Sequence, residues 1–210
     1  MIPARLAELA HRVPTDLGPV IGGRLPSAAV LLLVWEESDG LQLLLTRRAV
    51  GLRTQPGDIA LPGGRCDPGE SPTQTALREA AEEVGLDPAE VQVVGRFDEA
   101  WSSSRTLVTP IVGWRGGGRP TLVAAEDEVA EILVVSLQDL ADPANHSTRV
   151  TPAGAYEYRD DVLTVGDMVA YGFTADLVLD LTEWMAGRDR RMTERRLADL
   201  AHFAPSRDWW

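Results

Sequence analysis

The most strongly patterned stretch of this chain is a glycine-rich loop followed by a short acidic helix. It reads Gly64-Arg-Cys-Asp-Pro-Gly-Glu70-Ser-Pro-Thr-Gln-Thr-Ala-Leu-Arg78-Glu79-Ala-Ala-Glu82-Glu83-Val-Gly85-Leu86. Ser71 is a good N-cap, Pro72 suits the first helical position, and Gln74 completes a capping box. Gly85 is a natural stop, because glycine takes the left-handed conformation at low cost. The stretch therefore predicts a helix that begins after Ser71 and ends before Gly85.

The apolar and the acidic residues of this helix lie on opposite sides when about 100° is allowed per residue. The apolar side, which can pack on a sheet, consists of Leu77, Ala80, Ala81 and Val84. The acidic side carries Glu79, Glu82 and Glu83 within about one turn of each other. These like charges repel, and Arg78 alone lies on the same flank to offset them. One interpretation is a solvated acidic face, and the other is a hard divalent cation bound by the carboxylates.

The spacing of the glycines and charged residues in this stretch resembles the Nudix box. The fixed positions of the box are filled by Gly64, Glu70, Arg78, Glu79, Glu82, Glu83 and Gly85. One departure is Ala80, where the family usually has a larger aliphatic residue. The resemblance implies an α/β protein, a Nudix-type α/β/α sandwich with a mixed sheet and a loop–helix–loop catalytic motif. It also implies a hydrolase that splits a diphosphate bridge with Mg²⁺ or Mn²⁺ as cofactor.

The resemblance also implies roles for individual residues. The metal ligands would be the side chains of Glu79, Glu82 and Glu83 and the carbonyl group of Gly64. Glu79 has a second possible role as a proton acceptor, because families within the fold differ in this respect. Arg78 would hold one glutamate by an ion pair, and Glu70 would support the loop. Among the acidic residues of 126–131 we expect Glu128 to be a general base, with a solvated acidic loop as the alternative.

A second motif directly precedes the box. It reads Leu44-Leu-Thr-Arg-Arg48-Ala-Val-Gly-Leu-Arg53-Thr-Gln-Pro-Gly57-Asp-Ile-Ala-Leu-Pro62-Gly-Gly64. It resembles the signature of the coenzyme A pyrophosphatase branch of the Nudix family, with Leu61 in place of phenylalanine. Arginine forks match phosphate oxygens, so Arg48 and Arg53, which stand at signature positions, are expected to bind substrate or support the loop. Pairing with surface carboxylates is the alternative, and Arg47 lies off the signature.

The two motifs together imply a small-molecule nucleoside diphosphate as substrate. The expected substrates are coenzyme A or its thioesters, whose hydrolysis yields 3′,5′-ADP and the 4′-phosphopantetheine part. A nucleotide sugar or ADP-ribose is the alternative within the family. A ligand-sensing Nudix module that does not hydrolyse is a third reading, which the intact box glutamates oppose. Candidates for stacking on the adenine are Trp101, Trp114 and Phe97, with core packing favoured for Phe97.

Composition and charge argue against several other classes. The chain has 210 residues and a formal net charge of −12, which disfavours nucleic acid and anionic membranes as partners. Cys66 is the single cysteine, so an intramolecular disulfide is impossible, and the three histidines are too distant in sequence to suggest a catalytic pair. The N-terminus lacks a signal-peptide core, and no apolar run has transmembrane length. We therefore expect a cytoplasmic protein.

The rest of the chain predicts one domain with extensions. We expect an N-terminal helix and connector over 1–26 and a single Nudix domain with C-terminal helices over 27–210. Predicted strands are Ala28–Trp35, Leu41–Thr46, Val91–Phe97, Leu107–Trp114, Glu131–Val135 and a hairpin of Tyr156–Tyr158 with Val162–Val165. Predicted helices are 3–13, Leu137–Leu140, Asp167–Met185 and Thr193–Phe203. The apolar N-terminal helix, the connector and the tail Trp209–Trp210 suggest a homodimer.

Overall fold

A mixed sheet forms the centre of the structure, a computed structural model that describes residues 1–14, 27–102, 106–153 and 156–190. Its strands are β1 Ser27–Glu37, β2 Gly40–Arg48, β3 Ile59–Ala60, β4 Gly63–Arg65, β5 Gln92–Arg96, β6 Ala100–Trp101, β7 Leu107–Arg115 and β8 Val129–Ser136. The order is β3-β2-β1-β7-β5, with β4 added to β1, β6 to β7 and β8 to β2. Strands β1 and β7 are parallel, and the other pairs are antiparallel, as the mixed-sheet prediction requires.

Helices cover both faces of this sheet. They are α1 Ala4–Ala7, α2 Pro72–Val84, α3 Leu137–Ala141 and α4 Gly172–Met185, with single 3₁₀ turns at Glu8–His11, Pro88–Glu90 and Pro143–Asn145. The predicted limits of α2 are confirmed. The Ser71 hydroxyl accepts a hydrogen bond from the Gln74 amide, and the Gln74 side chain accepts one from the Ser71 amide. Gly85 ends the helix in the left-handed conformation, at φ 65°.

The alternation of β1 explains why helices lie on both faces. Strand side chains alternate between faces, and every position of β1 from Leu31 to Trp35 is buried. One set packs with α2 in a cluster of Ala29, Leu31, Leu33, Trp35, Leu44, Ala76, Ala80, Val84, Leu86 and Ile111. The other set, including Leu32 and Val34, packs with α1, α3 and α4. The predicted α/β/α sandwich is therefore confirmed.

A second, three-stranded antiparallel sheet corrects two predictions. Its strands are β9 His146–Ala153, β10 Tyr156–Val165 and β11 Met168–Tyr171. The predicted hairpin is wrong, because residues 156–165 form one strand and its expected turn lies inside the ladder. Asp160 stands opposite Arg149 there and forms an ion pair with it, so the acidic residue is accommodated within the strand. The predicted start of the last described helix at Asp167 is also wrong, because β11 precedes α4 and pairs with β10.

The N-terminal segment packs on its own chain. Predicted as one helix over 3–13, it forms the short α1 and a 3₁₀ turn. Its apolar residues Leu6 and Leu9 are buried in the core that α4 covers. Arg5 donates hydrogen bonds to the carbonyl of Trp184, and the Trp184 indole donates one back to the Arg5 carbonyl. The first reason for expecting a homodimer was an exposed apolar helix at the N-terminus. The apolar residues of this helix are instead buried against the same chain.

Three predictions fall outside the described residues. These are the connector beyond Pro14, the helix Thr193–Phe203 and the tail Trp209–Trp210. Among the helices that are described, none has both the length and the apolar character that crossing a membrane requires.

Candidate functional site

The backbone of Gly63 and Gly64 lies between the central strand and the glutamate helix. Strand β4 pairs with β1, with Gly64 opposite Ala29. A Cβ atom at Gly64 would overlap the carboxylate of Glu79, and one at Gly63 would overlap the carbonyl oxygen of Ala29. Neither position therefore has room for a side chain. The close approach brings the loop backbone directly against the first glutamate of the acidic helix.

Glu83 is a buried carboxylate beside this loop. It is 6% exposed, and its Oε2 accepts a hydrogen bond of 3.1 Å from the Gly63 amide. Burial raises the pKa of Glu83 to about 7, because the charged form is costly away from water. The charges of Glu79 and Glu128 raise this pKa further, while the Gly63 amide and Arg48 act in the opposite direction. A solvated acidic face does not describe this residue.

Arg78 holds together the other carboxylates of the box. Its guanidinium lies 2.8 Å from Glu70, 2.9 Å from Glu79 and 2.8 Å from Glu82. Hydrogen bonds from Arg78, and then from the Asp67 amide, lower the pKa of Glu70 to about 2. Glu70 is therefore ionised at neutral pH and ties the loop to the helix. The ion pair predicted for Arg78 with one glutamate involves three.

The three predicted metal-ligand glutamates lie at different depths. The Glu79 side chain is 16% exposed and the Glu82 side chain 60% exposed, so only Glu82 fits the solvated interpretation. Burial raises the pKa of Glu79, and Arg78 opposes that shift. Across the described residues, no three His, Cys, Asp or Glu side chains are arranged to hold a metal ion. Two of the three glutamates are instead paired with Arg78.

Glu128 lies on the same side of the molecule as the buried glutamates. Its side chain is exposed, and its charge raises the pKa values of Glu79 and Glu83. The backbone carbonyl of Glu128 accepts a hydrogen bond of 2.9 Å from the Ala49 amide at the end of β2. Glu131, in the same acidic stretch, pairs instead with Arg47 at 2.8 Å. Arg47, the arginine that lies off the signature, thus forms an ion pair with a carboxylate of its own chain.

A cleft of about 540 Å³ opens beside Gly63 and Gly64. Its lining consists of Ala28, Val30, Arg48, Thr54, Gln55, Ala60, Leu61, Gly63, Gly64, Arg65, Ser102, Thr106, Val108, Phe173, Thr174 and Leu177. The charged groups among these described residues are two arginines, Arg48 and Arg65, without a carboxylate. The Nε of Arg48 is buried and has no hydrogen-bond partner among the described residues. A buried, unpaired N–H group next to a cleft is suited to an anionic ligand.

The structure separates the remaining candidates. Arg53 is exposed on the loop before β3 and lies outside the lining of the cleft. Trp114 and Phe97 are buried in the core, which leaves them unable to stack on an adenine ring, whereas Trp101 is half-buried in β6. Phe173 lines the cleft from the start of α4 and has no role in the sequence reasoning. The stretch of residues 172–175 resembles one in the coenzyme A pyrophosphatase branch, but the place of Phe173 at the cleft depends on the packing of α4.

The buried carboxyl gives the metal-free protein a pH-dependent stability. The folded pKa of Glu83, about 7, lies above the ordinary 4.5, so its contribution is complete below pH 4.5 and is lost as the pH rises through 7. The loss amounts to roughly 3 kcal/mol of unfolding free energy. Glu83→Gln removes it, so the metal-free variant becomes more stable than the wild type above pH 7.

Urea denaturation in the presence of a chelator, from pH 4.5 to 8, measures this difference. The matched control is Glu82→Gln, which changes an exposed carboxylate of the same helix and should follow the wild-type curve. Parallel curves for the wild type and Glu83→Gln would contradict the prediction.

The chain is similar in sequence to proteins of one family. Residues 25–155 match the NUDIX domain family. Nudix hydrolase 3 of Caenorhabditis elegans is 37% identical over 122 residues, which cover 56% of this chain and 51% of the relative. The mouse peroxisomal coenzyme A diphosphatase NUDT7 is 33% identical over 159 residues, 72% of this chain and 66% of the relative. NudL of Photorhabdus laumondii is 36% identical over 142 residues, 67% of this chain and 75% of the relative.

The extent of these matches differs. The chain spans about half the length of the worm protein and just under two thirds of the mouse protein. The domain match covers more than half of the chain and includes both the glycine loop and the glutamate helix. The chain belongs to the Nudix family.

Proposed function

We propose that this protein is a metal-dependent pyrophosphohydrolase that splits the diphosphate bridge of coenzyme A or its thioesters. The products are 3′,5′-ADP and the 4′-phosphopantetheine part. The observation that carries the proposal is the buried Glu83, hydrogen-bonded to Gly63 beside a cleft whose charged lining groups are Arg48 and Arg65. Carboxylates against the Gly63–Gly64 backbone and arginines in the cleft suit a substrate that brings phosphates and a cation together.

The chemistry of the donor atoms suits a hard divalent cation, Mg²⁺ or Mn²⁺, although the glutamate side chains are not gathered around one point in this structure. Glu79, Glu82, Glu83 and the Gly64 carbonyl are the groups that would hold it, and all are the oxygen ligands that such ions prefer. When bound, the ion would neutralise the diphosphate and lower the pKa of a water molecule. Glu83 supports this reading because its burial beside a second carboxylate is costly without a compensating positive charge.

The residues of the chain itself supply orientation and proton transfer. Water attacks one phosphorus, the bridging P–O bond breaks, and the leaving phosphate keeps the electrons of that bond. Glu128 accepts the proton of the water, with Glu79 as the alternative acceptor. Arg78 fixes the position of Glu79, and Arg48, which lines the cleft, binds the phosphate oxygens through its guanidinium.

Two observations support coenzyme A as the substrate class. The motif from Leu44 to Gly64 resembles the coenzyme A pyrophosphatase signature, and its Arg48 lines the cleft. The mouse relative is named a coenzyme A diphosphatase. ADP-ribose and nucleotide sugars remain the alternative, because they carry the same diphosphate group. A panel of coenzyme A, ADP-ribose and a nucleotide sugar, with Mg²⁺ or Mn²⁺ and coupled phosphate release, tests the proposal. Preference for ADP-ribose over coenzyme A would contradict it.

Replacement of Glu83 by glutamine should separate activity from stability. Glutamine keeps the shape and nearly the helix propensity of glutamate, so folding survives. Loss of one carboxylate weakens binding of the cation and lowers turnover at least about a hundredfold, or ~2.7 kcal/mol of barrier. Rates across a Mg²⁺ titration measure the effect. Near-wild-type turnover at ordinary Mg²⁺ concentrations would exclude Glu83 as a ligand.

Arg53 tests recognition of the 3′-phosphate. It stands at a signature position and its side chain is exposed. We expect Arg53→Ala to weaken use of coenzyme A more than use of dephospho-coenzyme A, because one charge-assisted contact contributes roughly 1.5–3 kcal/mol. The matched control is Arg47→Ala, whose arginine pairs with Glu131 and should affect both substrates little. Equal losses on the two substrates would show that Arg53 does not contact the 3′-phosphate.

Assembly and compartment stay predictions. A homodimer should give a mass of about twice 22.8 kDa in light scattering at micromolar concentration. A mass near 22.8 kDa would contradict it. The cytoplasmic compartment and the division of the chain at residues 26 and 27 likewise rest on sequence reasoning.

A further inference from the structure

A second cavity of about 310 Å³ adjoins the cleft, and we call it the side chamber. It shares Arg48, Gln55, Ala60, Phe173 and Thr174 with the cleft, so the two spaces meet along a common wall. The rest of its lining consists of Asp58, Ile59, Arg149, Thr151, Asp160, Tyr171 and Gly172. A ligand that occupies the cleft can therefore extend into the side chamber.

The outer wall of the side chamber is built largely by the second sheet. Arg149 and Thr151 belong to β9, Asp160 to β10 and Tyr171 to β11, and α4 begins at Gly172. The domain match ends at residue 155, before β10 begins. Much of this wall is therefore supplied by the part of the chain that follows the matched Nudix region.

Arg149 is held in a fixed position at this wall. Its guanidinium lies 2.7 Å from Asp160 and stacks 4.1 Å from the centre of the Tyr171 ring. The Tyr171 hydroxyl donates a hydrogen bond of 2.7 Å to Asp58, which fixes the ring in turn. The Arg149 side chain is still 47% exposed, so part of the guanidinium remains accessible to a ligand. A donor that is oriented before binding loses less entropy on binding.

Charge distinguishes the two spaces. The side chamber contains Arg48 and Arg149 against Asp58 and Asp160, so its formal charges balance. The cleft has arginines and, among its described lining residues, no carboxylate. Phosphate groups are therefore favoured in the cleft, and an uncharged group that forms hydrogen bonds is favoured in the side chamber.

Two unusual features lie where the spaces meet. Arg48, common to both, carries the buried Nε without a partner among the described residues. Gln55, also common to both, has a positive φ of 52°, which is uncommon for a residue other than glycine. Strained backbone and unpaired buried donors concentrate at ligand sites. The boundary between the two spaces is thus suited to a ligand that passes across it.

We propose that the side chamber binds the uncharged, amide-bearing chain attached to the diphosphate, with Arg149 as a specificity-determining residue. The proposal rests on the proposed function, and in coenzyme A this chain is the pantetheine arm. The amide carbonyl groups accept hydrogen bonds from Arg149 and Thr151, while the two phosphates stay beside Gly63 and Gly64.

Binding of the two halves of the substrate tests this assignment. The wild-type protein with Mg²⁺ is titrated calorimetrically with 4′-phosphopantetheine and, separately, with 3′,5′-ADP. Thr151→Phe fills the side chamber from an exposed strand position that accepts an aromatic residue, so folding should survive. Arg149→Met removes the donor. Both substitutions should weaken the binding of 4′-phosphopantetheine at least tenfold and leave the affinity for 3′,5′-ADP unchanged.

The matched control is Arg159→Met. Arg159 lies on β10 in the same sheet and pairs with the exposed Glu157, away from the side chamber. The Arg159→Met variant should bind both halves of the substrate as the wild type does. Arg149→Met leaves the buried Asp160 without this partner, so melting temperatures are measured for every variant. If Arg149→Met does not fold, the result for Thr151→Phe is used to test the assignment.

Other outcomes overturn the assignment. A loss of affinity confined to 3′,5′-ADP would assign the side chamber to the nucleotide. An equal loss of affinity for both halves would indicate general damage to the site. Wild-type affinity in Thr151→Phe, or no binding of 4′-phosphopantetheine by the wild type, would exclude the side chamber as its site. Failure of the proposed function is seen separately, as a protein that binds 4′-phosphopantetheine in the side chamber and does not split coenzyme A.

Discussion

The contact on which the site depends is the passage of the Gly63–Gly64 backbone between the central strand and the glutamate helix. A side chain at either position would overlap β1 or the Glu79 carboxylate. The same stretch brings the Gly63 amide within 3.1 Å of the buried Glu83 carboxylate. A β-carbon at Gly63 would meet the backbone of β1, and one at Gly64 would displace the carboxylate of Glu79.

Electrostatics then divides the carboxylates of the box between two tasks. Glu70, fully ionised, works with Arg78 to connect the loop to the helix. Glu83 is placed where burial disfavours its charge. Glu79 is subject to both effects, because burial raises its pKa and Arg78 lowers it. Repulsion within the cluster is relieved in part by Arg78, whose guanidinium is shared among three glutamates. A local excess of negative charge therefore remains in an already acidic chain, and it is a suitable environment for a divalent cation.

The second sheet extends the Nudix core at the side where the cleft opens. Polar residues form much of its ladder, and Arg149 and Asp160 form an ion pair across it. Pairing of β10 with β11 fixes where α4 begins, and the first turn of α4 brings Phe173 and Thr174 to the cleft. The same elements that the sequence patterns described least well thus form the wall next to the substrate cleft.

Elements with local signals can be recognised from the amino-acid sequence. The capping box and Gly85 mark the ends of α2, the continuous apolar run marks β1, and the box spacing identifies the glutamates. The depth at which each glutamate is buried depends on the folded structure, because residues one turn apart on a helix contact different neighbours. The folded structure also decided that Phe97 and Trp114 belong to the core, and that a stretch with turn-forming residues continues as β10. Strand pairing and burial depend on residues distant in sequence, and a local pattern carries no record of them.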